Sequence, residues 1–118
     1  MTGQRTVTVL TLDSGLVTVP EPSWCVGHTD EQLVDRVDIH HTAPVGVPQG
    51  LIDLHAELVA FPFGITPVPV SVHIELLVPG ATLDPDGLRE FADALVARAA
   101  LLRGFADRLT VLRGGGAW

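Results

Sequence analysis

The residues of this chain that are best suited to metal chemistry lie in two short segments. Cys25 and His28 form a Cys-x-x-His pair that contains the only cysteine of the sequence. His40 and His41 follow 12 and 13 residues after His28. Zinc accepts thiolate and imidazole ligands in a tetrahedron, and ligands that are close in sequence lower the cost of assembling such a site. The spacing predicts a metal knuckle, residues 20–42. In it a metal ion would link the turn that carries Cys25 and His28 to the neighbouring strand that carries His40 and His41.

Two positions of the predicted coordination shell have more than one candidate. Either His41 or His40 can be the distal imidazole, and we take His41. The fourth ligand can be Glu21, which lies four residues before Cys25, or Asp30, or water. The predicted ligand set is Cys25, His28, His41 and Glu21.

A metal-free arrangement is the simplest alternative for these residues. In it Cys25 is buried against Trp24, and His28 lies at the surface. Cys25 is a poor candidate for a nucleophile, because it lies between a proline-rich turn and a glycine rather than at a helix start. We therefore assign no catalytic residue. A zinc ion with an open position would allow hydrolysis, with Glu57 or Glu75 as the base.

The sequence before residue 78 is typical of an antiparallel sheet. Asp13-Ser14-Gly15 predicts a hairpin loop between the first two strands. His55 and His73 alternate with apolar residues, which indicates that one face of the sheet is solvated. Alternation of apolar and polar residues predicts five strands: Thr6–Leu12, Leu16–Val19, Arg36–Thr42, Leu51–Phe61 and Val70–Leu77.

The C-terminal part of the chain predicts one long helix, residues 84–113. Asp84 is a good N-cap, and Pro85 fits the first helical position. Apolar residues recur every three or four positions as far as Leu112, the pattern of an amphipathic helix. Three glycines from Gly114 end it, and we expect Trp118, which follows them, to be mobile unless a partner holds it.

The length of this helix raises the question of what covers it. About 28 residues at 1.5 Å each span about 40 Å, whereas the strands reach about 23–36 Å. We therefore expect either that the helix breaks near Gly104 or that a second chain covers its end. A strict heptad of leucine and alanine favours a homodimer through the helix. We call these residues the heptad seam: Leu88, Ala92, Leu95, Ala99, Leu102, Ala106 and Leu109.

Composition excludes several classes of protein. The formal charge is −7, all basic residues are arginines and tyrosine is absent, which disfavours binding to nucleic acid. No apolar run is long enough to cross a membrane. The first residues carry no apolar signal region, and a single cysteine forms no internal disulfide. These features predict a cytoplasmic protein.

Residues 20–42 and the start of the helix resemble a family of small uncharacterised proteins of actinobacteria and their phages. That family has a Cys-Pro-x-Trp-Cys…His…His-Ser/Thr pattern and an Ala/Leu-rich terminal helix. Glu21 stands where its members often carry the first cysteine. The resemblance favours a metal site and implies no activity. The matching positions are Pro22, Trp24, Cys25, His28, His41-Thr42 and Leu83-Asp84-Pro85.

These observations together predict a single α+β domain, residues 1–118. An antiparallel sheet of four or five strands within residues 6–77 carries the metal knuckle, and the long helix packs on one face of the sheet. We expect a non-enzymatic, zinc-stabilised interaction or regulatory module, dimeric and with a further, unidentified protein partner. The alternatives are a small metal-dependent hydrolase with the same ligands and a metal-free dimeric adaptor.

Overall fold

The protein has an α+β fold with five strands and one long C-terminal helix, which confirms the predicted class. The structure is a computed structural model, and it describes residues 5–28, 33–66 and 68–118. A short 3-10 helix, Arg36–Asp38, precedes the third strand. The elements are β1 (Thr6–Thr11), β2 (Gly15–Pro20), β3 (His41–Val45), β4 (Asp53–Phe61), β5 (Val68–Leu77) and α1 (Pro85–Arg113).

The strands form two antiparallel sheets rather than the one sheet that we predicted. One sheet has two strands in the order β1-β2, and the other has three in the order β3-β4-β5. Pro20 is the last residue of β2 and Pro22 lies two positions further, and neither has an N–H to donate to a ladder. The pairing of the first sheet ends within two residues of β2.

Contacts divide the chain into two compact units. The first comprises Met1–Pro44 and Glu57–Ser71, and the second comprises Val45–Ala56 and Val72–Trp118. The prediction of a single domain stays a prediction.

In the first unit, β1 and β2 form the expected hairpin. The strands pair from Thr6 opposite Pro20 to Thr11 opposite Gly15. Gly15 has φ +63°, the left-handed conformation that glycine adopts without strain. The hydroxyl of Thr11 accepts a hydrogen bond from the Ser14 N–H at 2.9 Å and donates one to the Gly15 carbonyl at 2.8 Å. The hairpin loop is therefore stabilised by the side chain of Thr11 as well as by the backbone conformation of Gly15.

The predicted third strand is correct only at its end. Residues Arg36–Asp38 form the 3-10 turn, in which the Asp38 N–H donates to the Asp35 carbonyl at 2.9 Å. In an extended strand Val37 would share the face of Ile39, but Val37 is 41 % exposed, whereas Ile39 is 1 % exposed. Alternation holds from Ile39 onward, because only there is the backbone extended. The inward residues are Ile39, His41, Ala43 and Val45.

In the second unit, α1 runs unbroken through Gly104, so the predicted break there is wrong. The carboxylate of Asp84 accepts the Gly87 N–H at 2.7 Å, which confirms it as the N-cap. At the other end Gly115 has φ +95°, and its N–H donates to the Leu112 carbonyl at 3.1 Å. The helix therefore begins and ends at residues within one position of those predicted.

Burial on α1 falls on one part of its predicted apolar stripe. Phe105 is only 4 % exposed, whereas the seam leucines Leu88 and Leu95 are 57 % and 45 % exposed. Ala99 and Leu109 of the seam are half-buried. Other half-buried or buried positions lie on a neighbouring face of the helix: Phe91, Ala94, Arg98, Leu101 and Phe105.

Trp118, which we expected to be mobile, packs on the end of the helix. Its ring lies 5.9 Å from that of Phe105, and the Arg108 guanidinium lies 4.1 Å above the indole. Aromatic and cation–π contacts of this kind favour an ordered position for the ring. Trp118 thus covers part of Phe105 near the end of the helix.

Arg98 fixes the loop that precedes β4. Its Nε and Nη2 atoms donate to the Ile52 carbonyl at 3.0 and 2.7 Å, and Nη1 donates to the Pro48 carbonyl at 2.8 Å. A Cβ atom on Gly50 would lie 2.9 Å from Nη2. The absence of a side chain at Gly50 therefore lets the guanidinium approach the loop backbone.

Candidate metal centre

Glu21 reaches the site because the alternation of β2 continues one step beyond the strand. Its N–H donates to the Arg5 carbonyl at 2.7 Å, which extends the β1–β2 pairing by one residue. Val17, Val19 and Glu21 therefore point to the same side, and Glu21 is 6 % exposed. A carboxylate at a buried position needs partners, because burial of an unpaired charge is costly.

The Cys-x-x-His segment closes into a turn that brings its two side chains together. The Cys25 N–H donates to the Pro22 carbonyl at 3.1 Å. Gly27 then takes φ +107°, a conformation that residues with a side chain rarely adopt. As a result the Sγ atom of Cys25 lies 3.7 Å from Nε2 of His28.

His41, and not His40, is the histidine that the structure brings to this turn. His41 opens β3 on its inward face and is 3 % exposed. The Thr42 carbonyl accepts the Val26 N–H at 3.1 Å, and this hydrogen bond holds β3 against the turn. His40 faces away, with Nδ1 3.0 Å from the Asp38 carbonyl oxygen. Adjacent residues of an extended chain point to opposite sides.

Four donor atoms of the knuckle converge. The metal-binding candidates are Glu21, Cys25, His28 and His41, and one ligand atom of each lies within 4.8 Å of all the others. Oε1 of Glu21 lies 3.0 Å from Nε2 of His28 and 2.8 Å from Nδ1 of His41. We call these residues the four-ligand cluster. They are the four residues of the predicted ligand set, and metal binding by them stays a prediction.

One separation in the cluster matches an edge of a zinc tetrahedron, and two others are shorter than such an edge. Zn–N and Zn–O distances of about 2.0–2.1 Å and a Zn–S distance of about 2.3 Å place ligand atoms roughly 3.3–3.7 Å apart. The distance from Cys25 Sγ to His28 Nε2 is 3.7 Å. The two contacts to Glu21, at 3.0 and 2.8 Å, are hydrogen-bond distances. Small shifts of about half an ångström would convert them to metal-ligand edges.

The electrostatics of the cluster depend on two neighbouring ionisable groups, the Glu21 carboxyl and the Cys25 thiol. Burial opposes ionisation of Glu21, but hydrogen bonds from Cys25 and His28 and the charges of His28 and His41 outweigh it, so the pKa of Glu21 is lowered. Burial raises the pKa of the Cys25 thiol, and the neighbouring Glu21 carboxylate raises it further. A divalent cation reverses this for the thiol, because a coordinating cysteine loses its proton.

Two residues outside the cluster support it. The guanidinium of Arg5 donates to the Pro22 carbonyl at 3.3 Å and to the Cys25 carbonyl at 3.4 Å. Trp24 meets the His41 ring edge-on, with centroids 6.2 Å apart. These contacts restrain both the turn and the imidazole. Sequence reasoning missed Arg5, although an arginine one residue before the first strand was a visible signal.

The other candidates of the sequence analysis are not in the cluster. Asp30 lies outside the residues that the structure describes. Glu57 and Glu75, the candidate bases for hydrolysis, are exposed and absent from the cluster. His73 pairs with Glu75 at 3.3 Å, with both side chains more than half exposed. The exposed position of His73 is therefore explained by the solvated face that we predicted for the sheet.

The fold and this site define the class of protein: an α+β domain with a buried cluster of one thiol, two imidazoles and one carboxylate. No helix of the described ranges combines the length and apolar character needed to span a bilayer. The chain belongs to the domain family of unknown function DUF6907, whose profile matches residues 6–111. This supports the resemblance to a family of uncharacterised proteins. No curated protein and no solved structure matches the chain.

Proposed function

We propose that the four-ligand cluster binds one zinc ion and that the ion stabilises a non-enzymatic interaction or regulatory module. The observation that carries the proposal is the convergence of four buried or half-buried donor atoms within 4.8 Å. The donors come from the end of β2, from the turn and from the start of β3. An ion held by all four would cross-link three chain segments of the first unit.

Charge supports a divalent cation at this position. An ionised Cys25 and an ionised Glu21 carry two negative charges, and the two imidazoles are neutral ligands. A divalent ion makes the sum zero, which removes the cost of burying two like charges together. The mixture of sulfur, nitrogen and oxygen donors suits zinc, which accepts all three.

The number of protein donors supports a structural role over hydrolysis. Structural zinc sites are four-coordinate with protein ligands, whereas catalytic sites keep one position for water. In the proposed site Glu21 would fill that position, and its side chain is 5 % exposed. A hydrolase with the same ligands, the alternative reading, would need this carboxylate to leave the ion.

The wider biological setting belongs to the proposal. The actinobacterial or phage origin rests on the resemblance of residues 20–42 to that family. A cytoplasmic location is supported by the single cysteine, which forms no internal disulfide. An unidentified protein partner fits a module with no catalytic residue of its own.

Elemental analysis tests the zinc site directly. Protein purified without added metal and without chelator should contain close to one zinc per chain. Structural zinc contributes folding free energy on the order of 10 kcal/mol in favourable cases, so a chelator should lower Tm sharply. A chain that carries no metal, takes up none and melts unchanged in chelator would overturn the proposal and leave the metal-free adaptor.

Cobalt substitution tests the ligand identities. Tetrahedral Co²⁺ with a thiolate ligand absorbs in the visible range and shows a sulfur-to-cobalt charge-transfer band. The Cys25→Ser variant should lose that band, whereas Ser23→Ala, two residues away and exposed, should keep it. A five-coordinate spectrum with exchangeable water would instead favour the hydrolase.

A further inference from the structure

Arg98 is a half-buried cation of the second unit, and no carboxylate balances its charge within the described ranges 5–28, 33–66 and 68–118. The ion pairs found there involve other side chains. The three hydrogen bonds of Arg98 go to the neutral carbonyls of Pro48 and Ile52. A guanidinium has five N–H donors, so two of them remain for another acceptor.

The guanidinium lines a cavity of about 390 Å³ between α1 and the loop before β4. This volume falls within the roughly 300–1,000 Å³ of small-molecule sites. A Cβ atom on Gly50 would lie 2.9 Å from Nη2 of Arg98, so the missing side chain keeps space open beside the charge. Apart from Gln49, the other lining side chains are apolar: Pro48, Leu51, Ala94, Ala97 and Leu101.

We propose that this cavity binds a small organic acid, a monocarboxylate with an apolar body. The carboxylate accepts the two remaining N–H donors of Arg98, because the planar guanidinium fork matches the two oxygens of a carboxylate. The apolar body lies against Leu51, Ala94 and Leu101, which removes their surface from water. One guanidinium balances one negative charge, whereas a phosphate monoester carries almost two at neutral pH. The charge of the site therefore favours a carboxylate over a phosphate.

A neighbouring cavity of about 200 Å³ sets the direction of the ligand. The two cavities share Leu51 as a lining residue, and the second is also lined by Glu90, which is exposed. The carboxylate of Glu90 repels a second carboxylate. The anionic end of the ligand therefore lies at Arg98, and the apolar end points toward the second cavity. Leu51, Leu77 and Val78 of that cavity are 68 %, 54 % and 45 % exposed, and an apolar chain would cover them.

This site is separate from the proposed zinc site. All residues that line the two cavities belong to the second unit, whereas Glu21, Cys25, His28 and His41 belong to the first. Binding of an organic acid therefore goes beyond the zinc proposal and does not depend on it.

Isothermal titration calorimetry of the full chain with octanoate tests the site. We expect saturable binding at one site per chain with a Kd below about 1 mM. Octan-1-ol has the same apolar chain without the charge, and octylammonium has it with the opposite charge. Both should bind at least about tenfold more weakly, because hydrogen bonds between two charged groups are lost.

A two-dimensional proton–nitrogen NMR spectrum locates octanoate without a substitution at Arg98, whose hydrogen bonds also hold the loop before β4. Octanoate should shift the Nε–H resonance of Arg98 and the amide resonances of Gly50 and Leu51. The amide resonances of Cys25 and His28, which lie in the first unit, should stay unchanged.

Ala97→Phe fills the cavity and leaves Arg98 in place. Ala97 is exposed and lines the cavity, so the larger ring occupies the space of the ligand while the fold is kept. This variant should raise the Kd for octanoate at least about tenfold. The matched control is Ala100→Phe, at an exposed position of the same helix that lines neither of the two cavities, and it should leave the Kd unchanged. Circular dichroism should show equal helix content in both variants.

Any one of three results would overturn the proposal. The first is wild-type protein that octanoate does not saturate. The second is octan-1-ol that binds as tightly as octanoate, since the charge of Arg98 would then contribute nothing. The third is an Ala97→Phe variant that binds octanoate as well as Ala100→Phe does. Zinc content enters none of these readouts, so each proposal can fail without the other.

Discussion

Nδ1 of His41 lies 2.8 Å from Oε1 of Glu21, and the two side chains are 3 % and 5 % exposed. Both residues take inward positions of extended chain, one at the start of β3 and one just after β2. Their contact therefore joins two strands that belong to different sheets. The imidazole and the carboxylate already face each other, which lowers the cost of ordering them around an ion.

The two adjacent histidines should differ in their effect on metal binding. His41→Ala removes a direct ligand. Loss of a residue that only supports a metal ligand lowers affinity by about 10- to 100-fold, so we expect the loss for His41→Ala to be larger than that. His40→Ala is the matched control, because its ring packs against Phe61 at 5.5 Å and lies outside the cluster. Competition with a chromophoric chelator measures both. Equal loss in the two variants would contradict the assignment of His41.

Gly27 should be intolerant of a side chain although space is available for one. A Cβ atom there meets nothing within 4 Å, but φ is +107°. Backbone strain of this kind costs about 1–3 kcal/mol, so Gly27→Ala should lower the free energy of unfolding by that amount. It should also weaken zinc binding, because relief of the strain moves Cys25 away from His28.

The control for this variant is Gly46→Ala. Gly46 also has nothing within 4 Å of the added carbon, and its φ lies outside the left-handed region. Urea titration of the zinc-loaded forms should show a change only for Gly27→Ala. If both variants lost equal stability, the backbone conformation of Gly27 would not be the cause.

Arg98 should stabilise the second unit through its geometry and not through its charge alone. Arg98→Met keeps the apolar stem but removes three hydrogen bonds to carbonyls of Pro48 and Ile52. Hydrogen bonds from charged donors contribute about 1.5–3 kcal/mol each, and the set is partly exposed, so we expect a loss of about 2–4 kcal/mol. Urea titration measures it.

Arg98→Lys separates charge from shape. Lysine keeps the charge but lacks the planar fork that reaches two carbonyls at once, so it should recover less than half of the loss. Full recovery by lysine would show that charge alone is sufficient. Gly50→Ala offers an independent check, because its Cβ would lie 2.9 Å from the guanidinium and should weaken the same contact.

The sequence predicted the elements well where a single local signal, such as a turn glycine or a capping residue, was present. The hairpin at Gly15, the Asp84 cap and the end of the helix follow from turn and cap chemistry within a few residues. The strand predicted to begin at Arg36 was wrong at its start, because the Asp35 carbonyl captures the Asp38 N–H and closes a 3-10 turn. A local hydrogen bond of this kind competes with the alternation that predicts a strand.

The helix shows the limit of periodicity most clearly. Two apolar stripes run side by side on α1, and spacing alone cannot tell which one faces the protein. The prediction took both stripes together, whereas Phe105 on one of them is buried and Leu88 and Leu95 on the other are exposed. Arg98 lies on the buried stripe, and its partners are backbone carbonyls 46 and 50 residues away, which no pattern in the sequence announces.

The sequence by itself determined the α+β class, the limits of the long helix and the candidate ligands Cys25, His28, His41 and Glu21. Residue types and short spacings carry that information, since caps, turns and donor chemistry are local properties. Only the tertiary structure brought His41 rather than His40 to the cluster, divided the strands between two sheets and left the seam leucines Leu88, Leu95 and Leu102 exposed. Those outcomes depend on which faces of distant segments pack together. The local sequence of each strand or helix does not determine that packing.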